Sequence, residues 1–289
     1  MKGFWPISHH VTVSDPDSRG SLRSKRPFSP IDLPIRSSFL QGSLRANEVT
    51  TTNDLDVSVW RGDAGGGGYQ SFKVPRHESQ TVLDIVAWIQ QEADPTLSYR
   101  FACRVGMCGS CAMMVNGQPR WTCRTHVSKV TSGDKIEIAP LRNLPIIKDL
   151  AADMDPFFDK WTEAEGVFHP SHTRDDAIQE IIPDEGDRPK ADAGIECINC
   201  SVCYASCDTV ASSPDFLGPA ALNRAWTLLN DSKDGDHDAI LDAVSGKGGC
   251  HNCHSMGNCT HFCPNDVDPM TAIAGLKRAT AASFFKRRR

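Results

Sequence analysis

Between residues 54 and 140 the apolar positions switch between two periods. Val57 and Val59 alternate with Ser58 and Trp60, the two-residue repeat of a half-buried strand. The run Gly65-Gly66-Gly67-Gly68 supplies a flexible turn, and Ser71-Phe72-Lys73-Val74 returns as a second strand. Thr81 with Asp84 three residues later resembles a helix capping box, and Val82, Ile85, Val86 and Ile89 then share one helical face. Ala112–Val115 and Gln118–Trp121 flank Asn116-Gly117, a dipeptide that accepts the positive φ angles of a tight hairpin. Lys135-Ile136-Glu137-Ile138 reads as a closing strand. The pattern predicts a small sheet crossed by one helix.

Past Pro140 the character changes. Residues 141–190 are charged and punctuated by proline, which predicts a linker with short helices. From about 191, cysteine-rich turns alternate with helical stretches at 215–230, 236–244 and 268–285, the signature of an all-α domain. Residues 1–46 are rich in Ser, Pro and Arg without sustained periodicity, so a poorly ordered extension is expected there. Asp15, Asp17 and Asp32 argue against reading it as a transit peptide. The expected organisation is therefore α+β: a sheet domain over 47–140, a linker over 141–190 and a helical domain over 191–289.

Composition narrows the class. The 289 residues are enough for two ordinary domains, and 39% hydrophobic with 23% charged residues is typical of globular chains. A net charge of −5 argues against a general nucleic-acid binder, and the basic run Lys286-Arg287-Arg288-Arg289 reads as a solvated tail. No stretch approaches the roughly 20 apolar residues that span a bilayer. The longest apolar run, Val82 to Ile89, is interrupted by Asp84. The chain is thus expected to be soluble by itself and to reach a membrane only through partners. With no secretory signal, its 12 cysteines are more consistent with metal chemistry than with disulfides.

Cysteine spacing carries that chemistry. Cys103, Cys108, Cys111 and Cys123 follow C-x4-C-x2-C-x11-C, the plant-type ferredoxin arrangement for a 2Fe–2S centre. A loop that wraps a cluster needs small residues so that backbone amides face the sulfurs, and Gly106, Gly109 and Ser110 supply them. Zinc favours two paired hooks, whereas here three cysteines crowd one Gly-rich loop. Cys197, Cys200, Cys203 and Cys207 follow the bacterial ferredoxin run C-x2-C-x2-C-x3-C, whose fourth cysteine serves a different cluster. The second copy of that template calls for cysteines at 253, 256, 259 and 263, and position 256 is Met256. One set is then Cys197, Cys200, Cys203 and Cys263, complete for a 4Fe–4S cluster. The other is Cys207, Cys253 and Cys259, three thiolates that suit a 3Fe–4S cluster. Cys250 is a rival fourth ligand; outside the template, it reads as an ordinary thiol.

These motifs resemble the iron–sulfur subunit of succinate dehydrogenase and fumarate reductase, the respiratory complex II family. The likeness covers about residues 54–285 and is strongest at Leu97–Arg100, Cys103–Gly117, Pro140–Met154, Cys197–Cys207, Phe216–Ala220 and Cys253–Pro269. It implies a plant-type ferredoxin (β-grasp) domain followed by an all-α bacterial-ferredoxin-like domain. It further implies a flavoprotein partner carrying covalent FAD, and a membrane anchor that binds quinone beside the 3Fe–4S cluster. Electrons would pass between FAD and quinone through the 2Fe–2S, 4Fe–4S and 3Fe–4S clusters in that order, or the reverse. His254 and Lys277 match positions at the edge of the family's quinone site. A peripheral place on the cytoplasmic face of a bacterial inner membrane is expected, ahead of the mitochondrial matrix.

The chain departs from the family pattern near the end of this wire. Asp208 stands where members carry Pro after the fourth cysteine, and Ala211-Ser212-Ser213 stands where many succinate dehydrogenases carry paired Trp. The spacing to Phe216 is closer to that of fumarate reductases. Some relatives use Asp as the third ligand of the first cluster, whereas this chain has Cys111. Two other readings fit the cysteine count: an electron carrier for a different flavoprotein dehydrogenase, and a zinc-stabilised interaction protein. No general base or nucleophile constellation stands out, as suits a wire rather than a catalyst.

Overall fold

A computed structural model describes residues 54–131 and 133–287; the extension expected at 1–46 lies outside the described residues. Strand β1 (Leu55–Asp63) buries Leu55, Val57 and Val59 completely while the residues between them are partly exposed. It pairs antiparallel with β2 (Gly66–Val74), Asp63 standing opposite Gly66. The turn is thus only Ala64-Gly65, and Gly66–Gly68 are strand residues rather than the loop expected from four glycines. Gly67 faces Gly62, and a Cβ on Gly62 would come within 2.3 Å of the Gly66 carbonyl oxygen. Without side chains there, the two backbones stay paired through a segment that reads as a turn.

Helix α1 (Val82–Trp88) carries the expected cap. The Thr81 hydroxyl accepts from Asp84 N at 3.3 Å, and Thr81 N donates to Asp84 Oδ2 at 3.0 Å. The helix runs on through a π-helical turn, Ile89–Ala93, that keeps Ile89 buried. The hairpin of β3 (Ala112–Val115) and β4 (Gln118–Trp121) has the expected register, with Asn116 and Gly117 at φ 49° and 76°. The Asn116 side chain also accepts from Glu137 N at 2.7 Å. That bond fastens the turn to β5 (Lys135–Ala139), which lies between β3 and β1.

The sheet does not stop at Pro140. β6 (Ile146–Lys148) and β7 (Ala151–Ala152) extend it to the order β4-β3-β5-β1-β6-β7, with β2 also on β1. The linker expected from 141 therefore begins as sheet. These strands are too short for an alternating pattern to register, and a buried carboxylate holds them in place. Asp149, at φ 49° between β6 and β7 and 2% exposed, accepts from Arg61 Nε (3.0 Å), Gly62 N (3.1 Å) and Ser98 N (2.9 Å). Arg61 also pairs with Asp94, whose carboxyl is held down at about 2 by the Thr96 hydroxyl and by Arg61 itself.

Beyond β7 the main regular elements are α-helices separated by turns and irregular segments: α2 (Asp155–Glu163), α3 (Arg188–Ile195), α4 (Val202–Ala205), α5 (Asp208–Ser212), α6 (Pro219–Leu229), α7 (His237–Ser245), α8 (Asn258–His261) and α9 (Pro269–Arg287). Helix α6 starts at Pro219 rather than at Asp215, because Gly218 at φ 85° breaks the helical path and Leu217 N donates instead to Gly248 O at 2.8 Å. Helix α6 packs against α9, α3 and α7. Leu222, Leu228, Ile240 and Leu276 are fully buried there.

The two halves are not joined end to end. β3 is buried on both faces. Met113 and Val115 enter the core beneath α1, while Ala112 and Met114 enter the core shared with the helices. Leu141, Leu144 and Phe157 join that second core, where Phe157 meets the Tyr204 ring edge-on at 5.5 Å. The chain is thus α+β, a mixed sheet followed by helices, with one continuous core bridging the two.

Replacing Asp149 by Ala removes the acceptor for three donors in a buried setting. Asp149→Ala is expected to destabilise the sheet by about 3 kcal/mol. The expected readout is a lower denaturant midpoint for the near-UV circular dichroism of the full-length protein, with no change if the carboxylate is dispensable.

Candidate metal centres

The loop after Phe101 folds around a sulfur. Cys103 Sγ accepts from Val105 N, Met107 N and Cys108 N at 3.4, 3.2 and 3.3 Å, and Cys103 N donates to Cys108 Sγ at 3.5 Å. The chain turns tightly enough because Arg104, Gly106 and Gly109 all sit at positive φ. Cys108 Sγ lies 3.0 Å from Ser110 Oγ; that contact and nearby amides lower its thiol to about 6. Burial pushes Cys123 up to about 12, and its sulfur interacts with those of Cys111 and Cys103 and with the Gly106 amide. All four expected cysteines are therefore brought together under converging N–H groups, the arrangement that lowers the energy of a sulfur-bound negative charge.

Two further groups form in the helical half. Cys197, Cys200, Cys203 and Cys263 line one small recess, beside Phe157, Ile198 and Val267. Burial raises the thiols of all three cysteines from the first run, Cys200 to about 12. Cys207, Cys253 and Cys259 line a second small recess. The Cys259 thiol is raised to about 11, chiefly by burial, and feels both Cys207 and Cys253. Cys203 also feels Cys259, so the two recesses are neighbours. The chain thus crosses over as the ferredoxin spacing requires: Cys263 joins the first run and Cys207 joins the second.

The donor chemistry fits iron–sulfur clusters. Each recess offers several thiols and no carboxylate ligand set, which selects soft, thiophilic metals. Among the described residues, no three His, Cys, Asp or Glu side chains converge closely enough to hold a single metal ion.

The remaining candidates gather at the second recess. Met256 and His254 line it, and both are exposed, Met256 at 63%. Lys277 is half-buried on α9, and its Nζ donates to the Cys253 carbonyl at 2.7 Å. Asp208 lines the recess, while Ala211 and Ser212 are exposed on α5. Cys250 is fully buried with its Sγ 3.9 Å from Thr280 Oγ1, and it is not among the lining residues. Two asparagines that spacing alone did not single out hold backbone around these sulfurs. Asn143 donates to the carbonyls of Tyr204 and Cys207, and Asn258 donates to that of Ser206. The available signal was Asn143 itself, a residue that tolerates positive φ, set between the buried Leu141 and Leu144.

The first loop presses directly on the second cysteine run. A Cβ on Gly109 would lie 2.5 Å from Ile198 O, 2.9 Å from Cys200 Cα and 3.0 Å from Cys200 N. Two cysteine-bearing loops therefore meet backbone to backbone, at a point where no side chain fits.

Known iron–sulfur proteins are similar to this chain. Residues 56–159 match a family model described as a 2Fe–2S iron–sulfur cluster binding domain, and residues 196–268 match one described as a 4Fe–4S dicluster domain. These define an iron–sulfur protein with two cluster-binding domains. A fumarate reductase iron–sulfur subunit of Mycobacterium tuberculosis is 34% identical over 81% of this chain and 94% of its own length. A mitochondrial succinate dehydrogenase iron–sulfur subunit of Oryza sativa is 36% identical over 68% of this chain and 70% of its own. Among solved structures, a chain of the Mycobacterium smegmatis Sdh1 complex in its apo form superposes with a TM-score of 0.72 at 27% identity. That match covers 81% of this chain and 98% of the other. The chain belongs to the iron–sulfur subunits of succinate dehydrogenase and fumarate reductase. It is the electron-transfer subunit of such an oxidoreductase, which answers the zinc reading weighed from the cysteine count.

Gly109→Ala combines an unfavourable positive φ with overlap against backbone. It is expected to destabilise the protein by about 2–4 kcal/mol. Faster limited proteolysis between the sheet and the helices is the signature; cleavage at the wild-type rate would mean that the loops separate without strain.

Proposed function

We propose that the three cysteine groups hold three different clusters: 2Fe–2S on Cys103, Cys108, Cys111 and Cys123; 4Fe–4S on Cys197, Cys200, Cys203 and Cys263; 3Fe–4S on Cys207, Cys253 and Cys259. The observation that carries this reading is the four-four-three division, in which Cys263 and Cys207 exchange places between runs. The sheet domain is then of plant-type ferredoxin (β-grasp) form and the helical domain of bacterial-ferredoxin form. The clusters, when bound, take up and release single electrons.

The chain's own residues set the conditions for that transfer. The amides of Val105, Met107 and Cys108 stabilise charge on the first sulfur group. Phe157, Ile198 and Val267 give the recess of the second group apolar walls, and Phe216 and Ile273 do so for one side of the third. The contact at Gly109 brings the first and second groups close. At the third group Met256 supplies no thiolate and leaves one corner without a ligand.

The partners follow from the family. A flavoprotein subunit with FAD docks at the exposed face of the first loop, where Arg104, Val105 and Met107 reach solvent. A quinone approaches the third group, with His254 and Lys277 at the edge of its site. Among the described residues no helix is long and apolar enough to cross a membrane; the family resemblance implies an anchor subunit on the quinone side. The complex sits on the cytoplasmic side of a bacterial inner membrane.

Low-temperature EPR of the oxidised protein tests the assignment. A near-isotropic signal from a 3Fe–4S centre is expected. Its absence, with two 4Fe–4S signals on reduction, would bring in Cys250 and overturn the third assignment. Met256→Cys completes the template and should add about one iron atom per chain while lowering the potential of the third centre.

A further inference from the structure

We propose that Asn143, which comes from the sheet half, is the positioning residue that holds the third centre's Cys207 in place. The inference rests on the assignment of Cys207 to that centre. Asn143 Nδ2 donates to Tyr204 O at 2.9 Å and to Cys207 O at 3.1 Å, with Ala205 O at 3.5 Å. Three carbonyl oxygens surround this end of the side chain, so only the amide nitrogen can face them.

Those carbonyls belong to the end of α4 and the turn through Cys207. A helix leaves its last carbonyls without helical donors, and a four-residue helix has few bonds of its own to resist unwinding. Cys207 N bonds to Tyr204 O at 3.2 Å and Ala211 N to Cys207 O at 3.3 Å. Asn143 binds both acceptors a second time, from outside the helix. Asn258, one residue before Cys259, donates to Ser206 O at 3.3 Å from the other side. The Cys207 turn is thereby clamped between the loop leading to β6 and helix α8, which bears another cysteine of the same group.

The clamp is rigid because its base is buried. Leu141 and Leu144 flank Asn143 at 3% and 8% exposure, in the same core as Tyr204 and Ala205. Asn143 itself sits at φ 65°, a conformation that Asn, Asp and Gly accept more readily than other residues. An amide donor aimed at the Cys207 peptide also places positive partial charge beside the cluster, favouring its reduced form.

Two substitutions separate these effects from backbone strain. Asn143→Gly keeps the positive φ and removes the donor; Asn143→Asp keeps shape and φ but presents only acceptors to three carbonyls. The full-length protein with its clusters in place is examined by EPR-monitored redox titration and by iron release to a chelator. In both variants the third centre's signal is expected to shift to lower potential, or its iron to leave at least tenfold faster. The first centre's signal and potential stay at wild-type values. Asp is expected to act more strongly than Gly. Wild-type potential and release rate for the third centre in both variants would overturn the proposal. So would loss of all three signals in the Gly variant, since that marks a general folding role. A wild-type protein without a 3Fe–4S signal fails the earlier assignment instead, independently of either variant.

Discussion

The contact on which the arrangement depends is the one between Gly109 and the Ile198–Cys200 backbone. A single added carbon at Gly109 would stand 2.5 Å from the Ile198 oxygen, well inside van der Waals distance. Electron transfer between two centres weakens steeply with separation, so loops that touch through bare backbone shorten the route between them. The sheet carries one loop and the helices the other. Everything that holds sheet to helices therefore also holds the first centre to the second.

That attachment is a packed core rather than a hinge. β3 contributes to it because neither of its faces meets solvent: alternate residues point into the sheet's own core and into the helical one. Leu141, Leu144 and Phe157 continue it through the segment that a sequence reading treats as a linker. Asp149 holds the sheet itself together by polar means, fastening β1, the Ser98 segment and the β6–β7 turn with one buried carboxylate. A buried ionised group of this kind persists only where donors surround it, and here two backbone amides and a guanidinium do.

Exposure divides the wire into a rigid middle and two open ends. The thiols of the middle group are strongly raised by burial, so bare thiolates are unfavourable there. The first loop leaves Val105 and Met107 at the surface, and the third recess leaves His254 and Met256 there. An electron carrier needs this pattern, since it must meet a partner at each end and exclude water between them. Asp208 and the exposed α5 place the departures from the family pattern beside the recess of Cys207, Cys253 and Cys259, away from the buried middle group.

Much of this was legible in the residues themselves. Cysteine spacing, the Asn116-Gly117 turn, the Thr81–Asp84 cap and the alternation in β1 are local signals, each needing only its near neighbours to act. The crossing of Cys263 and Cys207 was legible too, because the repeated spacing template encodes it. What spacing could not reveal were contacts between residues far apart in sequence. β6 and β7 are too short to show a period and depend on Asp149 meeting Arg61, 88 residues away. Gly66–Gly68 read as a turn because strand pairing depends on what lies opposite, here Gly62 and Arg61. Asn143 shows no sign, along the chain, of the carbonyls it would meet 61 to 64 residues later. The sequence alone determined the cysteine spacing and the groups into which that spacing sorts the thiols. Tertiary structure decided how near those centres stand and what holds them, because close approach and buried hydrogen bonds are properties of pairs brought together by packing.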